Sequence, residues 1–181
     1  MDKIKVLHII TRLANGGADE NTIYTINGLN KNYYEIDLIT GENNKDNMLK
    51  QIDKDIDVYK IKGLIREISP INEIKAFTHI YKIMKNKNYD IVHTHIAKGG
   101  VLGRTAAKLA GVPLIIHTIH GTTFPNTINF FSKNLYKNIE RICGLYTDYF
   151  ITVGEDMKSK YINANIGKPD KYKTIYSGMN L

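Results

Sequence analysis

Cysteine and tryptophan are almost missing from this 181-residue chain, which has one Cys and no Trp. A single cysteine excludes an intrachain disulfide and a thiolate metal cluster. Cys143 lies in Ile142-Cys-Gly-Leu145, near the end of an apolar helical pattern, so a buried structural thiol is expected there rather than a nucleophile. No apolar run is long enough to cross a bilayer. The first residues, Met-Asp-Lys-Ile-Lys-Val, pass directly into a strand pattern, so no signal peptide is expected and the cytoplasm is the expected compartment. Internal repeats and low-complexity segments are absent. So is Gly-x-Gly-x-x-Gly, and the second predicted strand ends on Thr40-Gly41 with its acid, Asp37, inside the strand. A dinucleotide oxidoreductase is disfavoured on that spacing.

What is present is an ordinary globular composition, 43% hydrophobic and 24% charged. The length suits one domain with its own core. The net charge of +7 draws anionic partners without choosing among them. The lysines are scattered and the 12 tyrosines dispersed, so no base-stacking platform is evident and nucleic acid is not the expected partner.

Short β-rich runs alternate with helical patterns. Strands are expected at Lys5–Ile10, Tyr34–Ile39, Ile56–Ile61, Asp90–His95, Leu114–Ile119, Tyr149–Val153 and Lys173–Tyr176. Helices are expected at Ala18–Asn30, Met48–Lys54, from Pro70 through Met84, Gly100–Ala110, Asn129–Leu145 and Glu155–Asn163. This alternation predicts right-handed crossovers and one doubly wound, Rossmann-like parallel sheet of about seven strands, with helices on both faces. Such sheets bind ligands beyond the carboxyl ends of their strands, at the switch point in strand order.

Three strand ends hold the residues of interest. After the first come Asn15-Gly16-Gly17-Ala-Asp19-Glu20. Adjacent glycines at a helix mouth let backbone approach a phosphate; taken alone, they read first as a tight turn. After the fourth comes His93-Thr-His95-Ile-Ala-Lys98-Gly-Gly100. Two histidines two apart share a strand face, yet no neighbouring carboxylate or cysteine completes a metal set, so no metal site is expected. His95 is the ligand-facing candidate and His93 the packed one. After the fifth come His120-Gly121-Thr122-Thr123, where a histidine can hydrogen-bond a ligand near neutral pH or simply cap a turn. Position alone leaves both open.

The helix from Asn129 carries an apolar stripe, Phe131, Leu135, Ile139 and Ile142, and a basic one, Lys133, Lys137 and Arg141. The ordinary reading puts the apolar stripe in the core and the cations in solvent. The alternative is a peripheral membrane contact, with the basic face on anionic lipid.

Taken in order, these segments resemble the N-terminal domain of retaining GT-B glycosyltransferases of family 4. The resemblance rests on Val6-Leu-His-Ile-Ile-Thr-Arg-Leu-Ala-Asn-Gly-Gly17-Ala-Asp19, Asp90-Ile-Val-His-Thr-His95, Lys98-Gly-Gly-Val-Leu-Gly-Arg104, Ala110-Gly-Val-Pro113, His117-Thr-Ile-His120-Gly121, Thr152-Val-Gly-Glu155 and Ile175-Tyr-Ser-Gly178-Met-Asn180. It implies half of a GT-B fold over residues 1–181, with the donor-binding C-terminal domain outside this chain. It implies transfer of a sugar from a nucleotide-diphosphate donor to a glycan or lipid-linked acceptor, in surface polysaccharide biosynthesis, without a metal or other cofactor. Gly16 and Gly17 would approach the donor diphosphate, and His120 would act at the reacting carbon. His95, Lys98 and Thr122 would face the acceptor. Family members often have Glu where this chain has Asp19, and a basic residue where it has Glu20. A stand-alone Rossmann-like binding module and half of a sugar-nucleotide epimerase are the competing readings. The epimerase would need acid/base carboxylates lining its cleft.

Overall fold

A computed structural model describes residues 2–178. Met179 and Asn180, the tail of the last resembling segment, and Leu181 lie outside the described residues. Seven strands form one all-parallel sheet: β1 (Ile4–Ile9), β2 (Tyr34–Gly41), β3 (Asp57–Ile61), β4 (Ile91–His95), β5 (Leu114–Ile119), β6 (Tyr149–Thr152) and β7 (Tyr172–Thr174). The helices are α1 (Gly17–Gly28), α2 (Asp46–Leu49), α3 (Pro70–Lys87), α4 (Ala97–Ala110), α5 (Phe130–Leu145) and α6 (Glu155–Asn163). The strand order is β3-β2-β1-β4-β5-β6-β7, the expected doubly wound sheet, with its switch point between β1 and β4.

Alternation along the strands separates two cores. Leu7, Ile9, Ile39, Val92 and Ile115 pack with Ala76, Ile80 and Met84 of α3 and Ala106 and Ala107 of α4. Ile36, Leu38 and Ile10 face the other way, toward Ile23 and Ile26 of α1 and Met48 of α2. A third cluster, built on Ile119, Phe124, Phe150, Tyr161 and Tyr172, closes the β5–β7 end.

Helix α4 begins three residues before the expected Gly100, so that Gly99 joins Gly100 and Gly103 within it. A helical glycine costs about 1 kcal/mol relative to alanine. Here its missing side chain lets the helix lie flat on the sheet: a Cβ on Gly100 would stand 2.5 Å from His117 Cε1, and one on Gly103 2.7 Å from Thr94 Cγ2. At its far end Gly111 takes φ 80°, the left-handed cap that glycine tolerates.

The expectation for α5 is overturned. Phe131 is 83% exposed, and Leu135 and Ile142 are also exposed, whereas Glu140, Cys143 and Gly144 are buried. The cations are drawn back onto the protein body instead. Lys137 Nζ sits 5.5 Å from the centre of the Phe124 ring, Lys133 Nζ donates to Asn126 Oδ1 at 2.7 Å, and Arg141 Nε donates to the Ala164 carbonyl at 2.8 Å. The physical reason is Arg104, wholly buried on α4, whose Nη2 meets Glu140 Oε2 at 2.8 Å. That pair turns the Glu140 face of α5 inward, leaving Phe131, Leu135 and Ile142 exposed and Ile139 half-buried.

Candidate functional site

Because β1 hands the chain to the β2 side and β4 hands it to the β5 side, their outgoing loops diverge and leave a crevice. The crevice is a cavity of about 730 Å³. Thr11, Arg12, Gly16 and Asp19 line it from the β1 loop; Ile96 and Lys98 line it after β4, and Thr122 and Thr123 after β5. Ile68, Leu102, Leu135 and Ile139 give it an apolar wall. Arg12 and Arg66 reach it as well, and neither forms an ion pair among the described residues.

The glycine loop is held by Asp19. Its Oδ2 accepts the backbone N–H groups of Ala14 at 2.8 Å and Gly16 at 2.9 Å. A glutamate would carry its carboxylate one methylene farther, so the shorter acid suits this closed loop. A Cβ on Gly16 would lie 3.3 Å from that same Oδ2, whereas a Cβ on Gly17 would meet nothing within 4 Å. Among the described residues nothing requires a glycine at 17; it leaves the mouth of α1 open.

After β4 the chain turns through Ile96 at φ 53° and ψ 173°, in a region nearly reserved for glycine. A β-branched residue there is strained, and it lies on the cavity wall. Lys98 also reaches the cavity, but its charge is already met: Nζ is 2.8 Å from Glu73 Oε1 and donates to the Glu67 carbonyl. The hydrogen bond from Lys98 holds the Glu73 carboxyl below its ordinary pKa. Sequence reasoning missed Glu73, because only the tertiary fold brings the start of α3 to Lys98.

His95 does not face a ligand. It is fully buried, which corrects the expectation of a cleft-facing histidine at the end of β4. The parallel register sets His8 of β1 directly beside His93 of β4, and His95 follows on the same face. His8 Nδ1 and His95 Nε2 share a hydrogen bond at 3.0 Å, and His95 Nδ1 and His120 Nε2 share another at 3.2 Å. His93 Nε2 pairs with Thr118 Oγ1 at 2.7 Å, so His93 is packed as expected. Burial drives all of these imidazoles down from their ordinary pKa, His8 to about 3 and His120 to about 4, with Asp19 partly opposing the shift at His120. They are neutral at physiological pH. Ring nitrogens of His8, His93 and His95 all lie within 4.8 Å of one another. His8 and His95 stack at 16° between their planes and share a hydrogen bond, whereas His93 is tilted to both rings and pairs with Thr118. His8 escaped the sequence reading because it sits in a continuous apolar run. Its partners are apparent only once β1 is known to pair with β4.

Asp37 is buried within β2, receives the Tyr89 hydroxyl and lies 3.6 Å from Lys87 Nζ. It is a structural acid, in keeping with the absence of a ribose-binding carboxylate at the end of β2.

The family model for "Glycosyl transferase 4-like" matches residues 10–148. The chain belongs to that family. Among curated relatives, it is 32% identical over 179 residues to the Escherichia coli UDP-Gal:alpha-D-GlcNAc-diphosphoundecaprenol alpha-1,3-galactosyltransferase, covering 99% of this chain and 46% of the relative. It is 24% identical to the Staphylococcus aureus capsular polysaccharide biosynthesis glycosyltransferase CapH, covering 98% of this chain and 48% of that one. This glycosyltransferase 4-like chain therefore spans about half the length of the curated relatives it matches. Among solved structures, a glycosyltransferase from Rickettsia africae superimposes with a TM-score of 0.73 at 22% identity, over 99% of this chain and 44% of that one. A UDP-N-acetylglucosamine 2-epimerase from Rickettsia bellii gives 0.70 at 16% identity, over 97% and 45%. These structural likenesses establish the fold, half of a GT-B architecture.

Proposed function

We propose that this chain is the acceptor-side lobe of a glycosyltransferase that moves a sugar from a nucleotide-diphosphate donor to a lipid-linked glycan, in surface polysaccharide synthesis. The observation that carries the reading is the composition of the cavity. An apolar wall of Ile68, Leu102, Leu135 and Ile139 stands beside two guanidiniums, Arg12 and Arg66, that no carboxylate neutralises among the described residues. A diphosphate with an apolar tail has those two halves. Thr122 and Thr123 supply short hydroxyls for the acceptor sugar. Lys98, bound to Glu73, orders the wall and is a weak anion site.

In this reading the mouth of α1 at Gly16 and Gly17 meets the donor diphosphate; the Gly16 N–H is held by Asp19, so the N–H groups that follow it in the first turn are the ones that face the phosphate. His120 stands at the reacting sugar. A second lobe, corresponding to the part of the relatives that this chain does not span, grips the nucleotide. Charge developing on the leaving phosphate is met by backbone N–H groups and cations, and the scheme uses no metal. The outward row Phe131, Leu135, Ile142 and Leu145 on α5, flanked by Lys133, Lys137 and Arg141, suits a peripheral contact with the membrane that carries such an acceptor.

The epimerase reading lacks free acid/base groups. Each carboxylate lining the cavity is committed: Asp19 to two backbone N–H groups, Glu73 to Lys98 and Glu140 to Arg104. The test is nucleotide-diphosphate release from sugar nucleotides by the intact protein containing this lobe, with a polyprenyl-diphosphate sugar as acceptor. Transfer should be seen, and His120→Ala should lower kcat by about 100-fold or more, as loss of one positioned donor does; because it also leaves buried His95 Nδ1 without its partner, it should cost about 1–3 kcal/mol of stability, so kcat is compared per folded molecule. Full activity in that variant removes His120 from the chemistry; absence of transfer with every donor and acceptor removes the reading itself. Flotation with anionic vesicles, and its loss on neutralising the three α5 cations, tests the membrane contact.

A further inference from the structure

His120 is the outer end of a three-histidine chain that runs inward through His95 to His8, and the inner end has no partner: His8 Nε2 is buried without a hydrogen bond. We infer that His95 and His8 are positioning residues that lock His120 in the tautomer carrying its proton on Nδ1, so that His120 meets the reacting groups as a hydrogen-bond donor and not as a base. The inference takes from the proposed function only that His120 faces those groups.

Proton counting gives the reason. A neutral imidazole has one N–H and one lone pair. Each N···N contact holds one proton, so the three tautomers are coupled and only two arrangements satisfy both contacts. In the first, His8 Nδ1–H donates to His95 Nε2, His95 Nδ1–H donates to His120 Nε2, and His120 keeps its own proton on Nδ1. In the second every bond is reversed, and His120 Nδ1 is a bare lone pair.

The buried end selects the first. At the buried end, the reversed chain leaves an N–H on His8 Nε2 with no acceptor, and orphaned buried N–H groups are rare in folded proteins. The first arrangement leaves only a lone pair there. The stacking of His8 on His95, at 16° between planes, and the tilted packing of His93 on both rings hold the chain against rotation. Protonation does not blur the choice near neutral pH, since burial keeps all three rings neutral.

The test is nitrogen NMR of the ¹⁵N-histidine-labelled 181-residue chain at pH 7, where long-range ring couplings distinguish the two tautomers. His120 should show Nδ1–H in about tenfold excess or more, the ratio that one unpartnered buried group corresponds to. The Nε2–H tautomer, or comparable amounts of both, overturns the inference. His95→Gln offers a freely flipping amide in place of the directional ring, so His120 should pass to a mixture. Retention of pure Nδ1–H in that variant also overturns it. If the variant does not fold, couplings across the hydrogen bonds of the unaltered chain decide: protons on His8 Nδ1 and His95 Nδ1 support the inference, and a proton on His95 Nε2 overturns it. None of these readings depends on sugar transfer, so they separate failure of the tautomer lock from failure of the proposed function.

Discussion

Arg104 Nη2 and Glu140 Oε2 meet at 2.8 Å with both side chains enclosed between α4 and α5. Arg104 Nε also donates to the Gly100 carbonyl at 2.9 Å, while Arg104 Nη1 and Glu140 Oε1 have no partner. A buried pair of this kind is costly to break, because the survivor is left as an uncompensated charge. Glu140→Ala should destabilise the chain by about 3–5 kcal/mol in chemical denaturation. Arg104→Met with Glu140→Leu should recover most of that loss, because removing both charges leaves neither unpaired. A Glu140→Ala cost below about 1 kcal/mol contradicts the role assigned to the pair.

Asp19 ties the glycine loop, and its charge opposes the effect of burial on His120. Asp19→Ala should cost about 2 kcal/mol through its two charge-assisted hydrogen bonds, and Asp19→Asn less, because the amide keeps an acceptor oxygen. Both changes remove the one influence that opposes burial at His120, so its pKa should fall further below about 4. Denaturation and an NMR titration of His120 measure the two effects separately.

Ile96 sets an unusual order of stability among its variants. Alanine removes the side chain and keeps the strained φ of 53°; glycine removes both the side chain and the strain. Ile96→Gly should therefore be more stable than Ile96→Ala by about 1 kcal/mol, the reverse of the order at an ordinary helix position. Equal or inverted melting temperatures would show that the backbone there is relaxed.

Stability should fall on the acid side. Five imidazoles, His8, His93, His95, His117 and His120, have their folded-state pKa lowered by burial. Below about pH 6.5 the unfolded chain takes up protons that the folded chain refuses, down to about 4 at His120 and about 3 at His8. The stabilisation is complete above the unfolded value and is lost progressively as pH falls from 6.5 toward 4. His8→Phe should flatten that acid limb in a melting series without changing the slope above pH 7.

The alternation of apolar runs and helical periods in the sequence was enough to predict the parallel sheet, because both follow from local covalent geometry and from which faces must avoid water. Leu114–Ile119 and Glu155–Asn163 occur with the predicted bounds. The carboxyl-edge location of Gly16, Lys98 and Thr122 followed from the same logic. Strand pairing, charge pairing and helix rotation are long-range outcomes, and only the tertiary structure decided them. His8 and His95 became partners when β1 lay beside β4, Lys98 was neutralised when the start of α3 reached it, and α5 turned Glu140 inward to Arg104 and left Phe131, Leu135 and Ile142 exposed. A local sequence window specifies where a side chain stands on its own element. What that side chain meets depends on how distant segments are brought together to bury apolar surface and satisfy enclosed charges.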